Sequence, residues 1–287
     1  MSDGQPEWFS AALAQTATEH HIEVKDCGIA YRAWGQVGNP GLILIHGFNA
    51  HSHWWDFIAP ALSSDFYVMA LDCSGAGDSG HRDSYNLDTF ADEVMAVAED
   101  AGHSDDLIVV GHSFGGAIAL KTAARYGANV RALISVDAKI IPMPDDVLGR
   151  STSGFLPHHV YPDATAAIED FRVIPPQRCP NQYIINHIAK QSIKETAEGW
   201  VLKADPRLLD AFRFEDQTDA LLNLNTGFGM IYGSMSALIT PEIIEYLQYV
   251  APPGSPFTAI PGAAHHLFLD APLPFIDELK TMLQQWS

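Results

Sequence analysis

Four continuous runs of branched apolar residues constrain this chain more than any other feature: LILIH (42–46), FYVMAL (66–71), LIVVG (107–111) and ALISVD (132–137). Runs without polar alternation are what strands show when both faces of a sheet are buried. Between them lie segments of helical character at 53–63, 87–101 and 114–126. Strand alternating with helix in this way predicts a parallel sheet with right-handed crossovers.

The flanks extend that pattern. Residues 7–19 are loosely helical, and HIEVK (21–25) and IAYRAW (29–34) flank turn-forming residues from Asp26 to Gly28, which predicts an antiparallel opening hairpin. From 138 to 225 the alternation stops. IIPMP and VIPPQRCP interrupt helical pieces at 164–171, 181–198 and 206–213, so this stretch reads as a mostly helical insertion. Strand patterns return at GMIYG (229–233) and PFTAIP (256–261), and a final helix is expected over 272–285. The fold class is therefore α/β: an eight-stranded, mostly parallel sheet flanked by helices. Residues 1–137 and 226–287 form the core, and 138–225 are inserted after the sixth strand.

Charge narrows the choice of partner. Against 35 acidic residues stand only 16 basic ones, a formal net charge of −19, which argues against nucleic acid or an anionic membrane surface. The cysteines, Cys27, Cys73 and Cys179, are too few and scattered for a disulfide framework or a zinc site, and are expected as free thiols. Neither a leader pattern nor an apolar window of about 18 residues is present, so the expectation is a cytoplasmic protein acting on a small molecule.

Chemistry concentrates in VVGHSFGG. Ser113 lies where a buried strand hands over to a helix, within Gly111-His112-Ser113-Phe114-Gly115-Gly116. A nucleophile at the tip of so tight a turn sits in a strained backbone conformation, and glycines two residues to either side leave the necessary room. The following helix also directs its N-terminal dipole and free N–H groups at the serine, where an anionic intermediate is favoured.

Together the opening hairpin, LILIHGF, DCSGAGDSG, VVGHSFGG, the insertion and PGAAHH resemble the α/β-hydrolase superfamily over nearly the whole chain. That resemblance implies that residues 138–225 are a helical cap shaping the substrate pocket, with Phe155, Leu156, Phe171, Ile184, Ile185, Leu208 and Phe212 packing it or lining the pocket. It implies that the backbone N–H groups of Phe48 and Phe114 form an oxyanion hole, each worth on the order of 3 kcal/mol in the transition state. His46 is then structural, as are the acids of the Asp72–Ser79 turn, which lacks the spacing and lysine of a phosphate loop.

A serine hydroxyl needs a base, and the resemblance places it at His265 rather than the adjacent His266. The orienting carboxylate departs from the common pattern. Where most relatives carry an acid after the seventh strand, this chain reads Gly233-Ser234-Met235-Ser236. A rarer arrangement takes the acid from the end of the sixth strand, which points to Asp137, 24 residues after the nucleophile (137 minus 113). Glu242 and Asp219 are more distant alternatives, and capping of a turn is the competing role for Asp137. His53, Trp54 and Trp55 either line the pocket or anchor the first helix.

No His, Cys, Asp or Glu cluster shows metal-ligand spacing in the sequence, and neither metal nor organic cofactor is expected. The function expected is a serine hydrolase cleaving a carboxylic ester, or a related acyl bond, of a small apolar substrate through a Ser113 acyl-enzyme. Carbon–carbon bond hydrolysis, lactone or amide cleavage and perhydrolysis reuse the same residues. Epoxide and haloalkane chemistry fit less well, because relatives that perform it attack with aspartate. A non-catalytic ligand-binding or signalling member of the fold is the reading from another class.

Overall fold

The computed structural model describes residues 5–142 and 159–286. Phe155, Leu156 and His158 lie outside the described residues. The first half places α1 (Glu7–Leu13), β1 (Thr18–Val24), β2 (Cys27–Trp34), β3 (Gly41–Ile45), α2 (Ala59–Leu62), β4 (Tyr67–Leu71), α3 (Leu87–Asp100), β5 (Leu107–His112), α4 (Phe114–Arg125) and β6 (Val130–Val136). After β6 come α5 (Ala164–Asp170), α6 (Gln182–Gln191), β7 (Ile193–Thr196), β8 (Gly199–Leu202), α7 (Leu208–Ala211) and α8 (Thr218–Leu222). The chain then resumes with β9 (Gly227–Gly233), α9 (Pro241–Val250), β10 (Phe257–Ile260), α10 (Leu267–Asp270) and α11 (Pro272–Leu283).

Eight strands form one sheet in the order β1-β2-β4-β3-β5-β6-β9-β10. The β1–β2 and β2–β4 pairings are antiparallel and the remainder parallel. Every residue of β3, β4 and β5 is buried, as expected of strands covered on both faces. Along β3, Ile43 and Ile45 enter an apolar cluster with Phe90 and Val94 of α3 and Ile118 of α4, while Leu42 and Leu44 enter another with Phe9 of α1 and Leu279 of α11. Each such side chain withdrawn from water contributes about 1.5–3 kcal/mol, so both helical layers are held to the sheet by its period-two alternation.

Strand order also fixes where a site forms. From β3 the chain crosses first to β4 on one side and then to β5 on the other, so the carboxyl ends of β3 and β5 border the crevice where connections diverge. The segment 46–48 leaves β3 there, and Ser113 follows β5 directly.

Two elements differ from expectation. The helix expected over 53–63 is a 3-10 turn (Ser52–Trp55) followed by the single turn α2, with Pro60 in its first turn. The helix expected over 181–198 stops at Gln191, and the chain forms a β7–β8 hairpin instead. Ile193 and Thr196 are β-branched, and Gly199 turns the chain at φ 135°, a conformation open to glycine. The region after β6 thus holds a small sheet besides its helices. Among the described residues, no helix is long and apolar enough to cross a membrane, and all three cysteines are unpaired.

Candidate active site

Ser113 stands at the N-cap immediately before α4 with φ 52° and ψ −117°, a conformation a non-glycine residue adopts only under constraint. Its N–H donates to Val136 O at 2.8 Å, which ties the turn to the end of β6. Serine usually caps a helix through its side chain, yet this one makes no cap bond, so the hydroxyl has no structural task there. A Cβ on Gly111 would lie 2.1 Å from Gly115 O, and one on Gly115 would lie 2.4 Å from Ile45 O. The turn therefore packs backbone against backbone, and only glycine allows it.

Asp137 occupies the equivalent place one strand over. It is fully buried with φ 47°, and its N–H donates to Ile231 O of β9 at 2.8 Å. Its carboxylate accepts from Gly233 N–H at 2.9 Å, from Ser236 Oγ–H at 2.7 Å and from His265 Nδ1–H at 2.7 Å. A buried carboxylate must be compensated by hydrogen bonds, and three donors converge here. Ser236, in the position where an acid was sought, supports the acid on the neighbouring strand.

The backbone around His265 is gripped from three sides. Ala264 N–H donates to Asp270 Oδ2 at 2.8 Å, and His266 N–H donates to Gln177 Oε1 at 2.9 Å. His112 Nε2 lies 3.1 Å from His265 O; a carbonyl only accepts, so Nε2 carries the proton. Burial, reinforced by neighbouring His265 and His266, holds the His112 imidazole well below the ordinary histidine range, so it stays neutral. His265 Nε2 is buried and without a hydrogen-bond partner.

His266 is committed elsewhere. Its Nε2–H donates to Pro175 O at 3.2 Å, and burial pushes its pKa down to about 3. Glu242 and Asp219 lie exposed in the first turns of α9 and α8, whereas Asp137 carries the contact to His265.

On the β3 side, His46 donates from Nδ1 to Gly47 O at 2.7 Å and accepts at Nε2 from Cys73 N–H at 3.1 Å, an arrangement that fixes the loop. Burial lowers its pKa. Phe48 and Phe114 meet edge to face, ring centroids 6.5 Å apart, and neither backbone N–H donates a hydrogen bond among the described residues. The Asp72 carboxylate accepts from Ser52 N–H at 2.6 Å and Asp78 N–H at 2.8 Å, which shapes the turn after β4. Trp54 and Trp55 are buried against Phe268, so they anchor the first helical turn.

A cavity of about 400 Å³ opens beside Ser113. Its walls are largely apolar, including Leu87, Phe114, Ile140, Phe212, Phe214 and Leu238, with Glu215 and Gln217 among the polar lining. Of the inserted residues named from sequence, Phe212 lines this cavity, while Phe171 and Ile184 are buried in the core.

The fold gathers two groups of metal-ligating type that the sequence spacing concealed: His112–His265–His266, and His53–Asp56–His187. In the second, His53 Nδ1 and His187 Nε2 lie 2.8 and 2.9 Å from Asp56 Oδ2, and Arg32 Nε lies 3.4 Å from Oδ1. Burial raises the Asp56 pKa, but hydrogen bonds from His187 and His53 lower it more, so the carboxyl stays ionised.

Residues 40–164 match the sequence profile of a family described as alpha/beta hydrolase fold. The human protein called epoxide hydrolase 4 is 29% identical over 170 residues, 55% of this chain and 47% of that protein, so the match spans about half of that relative's length. A pimeloyl-[acyl-carrier protein] methyl ester esterase of Klebsiella pneumoniae (strain 342) is 25% identical over 265 residues, covering 88% of this chain and 98% of the esterase. Among solved structures, the thioesterase domain from the curacin biosynthetic pathway superposes with a TM-score of 0.76 at 21% identity, over 92% of this chain and 99% of that domain.

Proposed function

We propose that this chain, which belongs to the α/β-hydrolase superfamily, is a serine hydrolase that cleaves a carboxylic ester, or a related acyl bond, of a small, largely apolar substrate. Ser113 attacks the acyl carbon, His265 Nε2 takes the hydroxyl proton and returns it to the leaving group, and Asp137 holds the imidazole with Nδ1 protonated. Water then enters by the same base and releases the acid. The Phe48 and Phe114 N–H groups hold the oxyanion.

The observation that carries this reading is the 2.7 Å contact from His265 Nδ1 to Asp137 Oδ2, which leaves Nε2 buried and unpartnered, on a loop bonded to the residue beside Ser113. Residues 138–225 act as a cap, with Phe212 and Phe214 forming part of the cavity wall. Because the turn carries Ser113 where an epoxide-opening enzyme needs aspartate, the name of the epoxide hydrolase relative does not transfer to this chain. Hydrolysis of p-nitrophenyl alkanoates by the wild type, lost in Ser113→Ala, supports the proposal. Equal turnover by the variant, or none by folded wild type, refutes it.

A further inference from the structure

Resting on the serine-hydrolase reading above, we propose that Tyr85 is a positioning residue for the Ser113 cavity: it fixes the wall formed by Phe212 and Phe214, and so sets the length of the apolar group that the cavity accepts. Phe212 and Phe214 come from the region after β6, whereas Tyr85 immediately precedes the N-cap of α3. Tyr85 is fully buried and is joined to that region by backbone and side chain alike.

Its backbone bridges to both sides of Phe212. Tyr85 N–H donates to Ala211 O and Arg213 N–H donates to Tyr85 O, each at 3.0 Å. Its hydroxyl donates to Asp205 Oδ2 at 2.7 Å and accepts from Arg82 N–H at 3.0 Å, so the phenol is used both as donor and as acceptor. Asp205 is itself 1% exposed, and its N–H donates to Gly75 O at 2.8 Å. A buried carboxylate that loses a donor is costly, so this stretch resists displacement from the loop it is bonded to.

Rings carry the constraint to the cavity. Tyr85 stacks on Phe90 with ring centroids 6.0 Å apart, and Phe90 stacks on Phe212 at 6.2 Å. Phe212 meets Phe114, the residue after Ser113, edge to face at 5.1 Å, and meets Phe214 at 4.8 Å. Phe214 is only partly buried and lines the cavity, so it presents the face a substrate touches. Close-packed rings held from behind do not yield to an extra methylene, and one methylene more or less in an apolar pocket changes kcat/KM by about tenfold or more.

Two ester series with chains of about two to twelve carbons test this: p-nitrophenyl alkanoates, which vary the acyl chain, and alkyl acetates, which vary the alkoxy chain. The series in which the wild type selects by length shows which side of the ester fills the cavity. The readout is the ratio of kcat/KM for long over short chain in that series, which is independent of the fraction of active protein. We expect Tyr85→Phe to raise the ratio about threefold or more, and Phe214→Ala, which removes the face of the wall, to raise it about tenfold. Asp205→Asn, whose amide oxygen still accepts from the phenol, should keep the wild-type ratio. Tyr31→Phe, which removes a hydroxyl bonded to Asp100 Oδ2 at 2.6 Å, outside the cavity lining, controls for lost stability and should keep it too. Length selection in neither series, an unchanged or lower ratio in Tyr85→Phe, or an equal rise in Asp205→Asn or Tyr31→Phe overturns the inference. Absence of turnover with every ester overturns the serine-hydrolase reading itself, a different result from turnover without length selection.

Discussion

Asp137 Oδ2 lies 2.7 Å from His265 Nδ1, although 128 residues of sequence separate them. The pairing joins the end of β6 to the loop after β10, two strands away across β9. Replacing Asp137 with asparagine keeps the shape but presents an amide that can hold the ring in the wrong tautomer. The expected outcome is a fall in kcat on the order of 10³- to 10⁴-fold with little change in KM. A loss under about tenfold refutes the assignment.

Ser236 donates to the same carboxylate oxygen at 2.7 Å. Ser236→Ala removes one donor to a buried charge and is expected to destabilise by about 1.5–3 kcal/mol in urea unfolding. In Asp137→Asn, adding Ser236→Asp returns an acid to within reach of the imidazole, and partial recovery of kcat over the single variant is expected.

A Cβ at position 111 meets Gly115 O at 2.1 Å and Gly115 C at 2.4 Å, both backbone atoms that cannot swing aside. Gly111→Ala is expected to cost about 3 kcal/mol or more of stability, measured by the thermal or urea midpoint. A midpoint unchanged from wild type contradicts the backbone packing described.

Acid should weaken the fold through its histidines. Burial holds His46, His51, His112 and His266 below the ordinary histidine pKa of 6.5, His266 down to about 3. Below 6.5, and above each group's lowered native pKa, the unfolded chain binds more protons than the native one, so stability rises with pH; this contribution is complete above 6.5 and is lost as pH falls, for His266 toward about 3. Each such group contributes a slope approaching about 1.4 kcal/mol per pH unit within its window. Urea midpoints between pH 7.5 and 5 should fall accordingly, and His266→Gln should flatten the slope.

Much of this was legible in the sequence because it rests on local pattern. Apolar runs placed the four central strands, turn residues placed the opening hairpin, returning strand patterns placed the last two, and Gly111 and Gly115 marked the turn at Ser113 through a steric need that sequence displays directly. The β7–β8 hairpin was hidden because Ile193–Leu202 is short and follows a helix without a proline or glycine break until Gly199. The supports of His265 were hidden for another reason. His112, Gln177 and Asp270 act through single hydrogen bonds across the fold, and nothing in their local sequence reports a distant partner. Ser236 looked like a missing acid, and only the three-dimensional contact shows it serving the acid on β6.

The central claim is that Ser113 is a nucleophile activated by His265 and Asp137, and covalent trapping tests it most directly. Treatment with a fluorophosphonate, followed by intact-protein and peptide mass spectrometry, should give one phosphonate adduct per chain on Ser113, with labelling slowed strongly in Asp137→Asn and abolished in Ser113→Ala. Folded wild-type protein that stays unlabelled, or that carries the adduct on another residue, contradicts it.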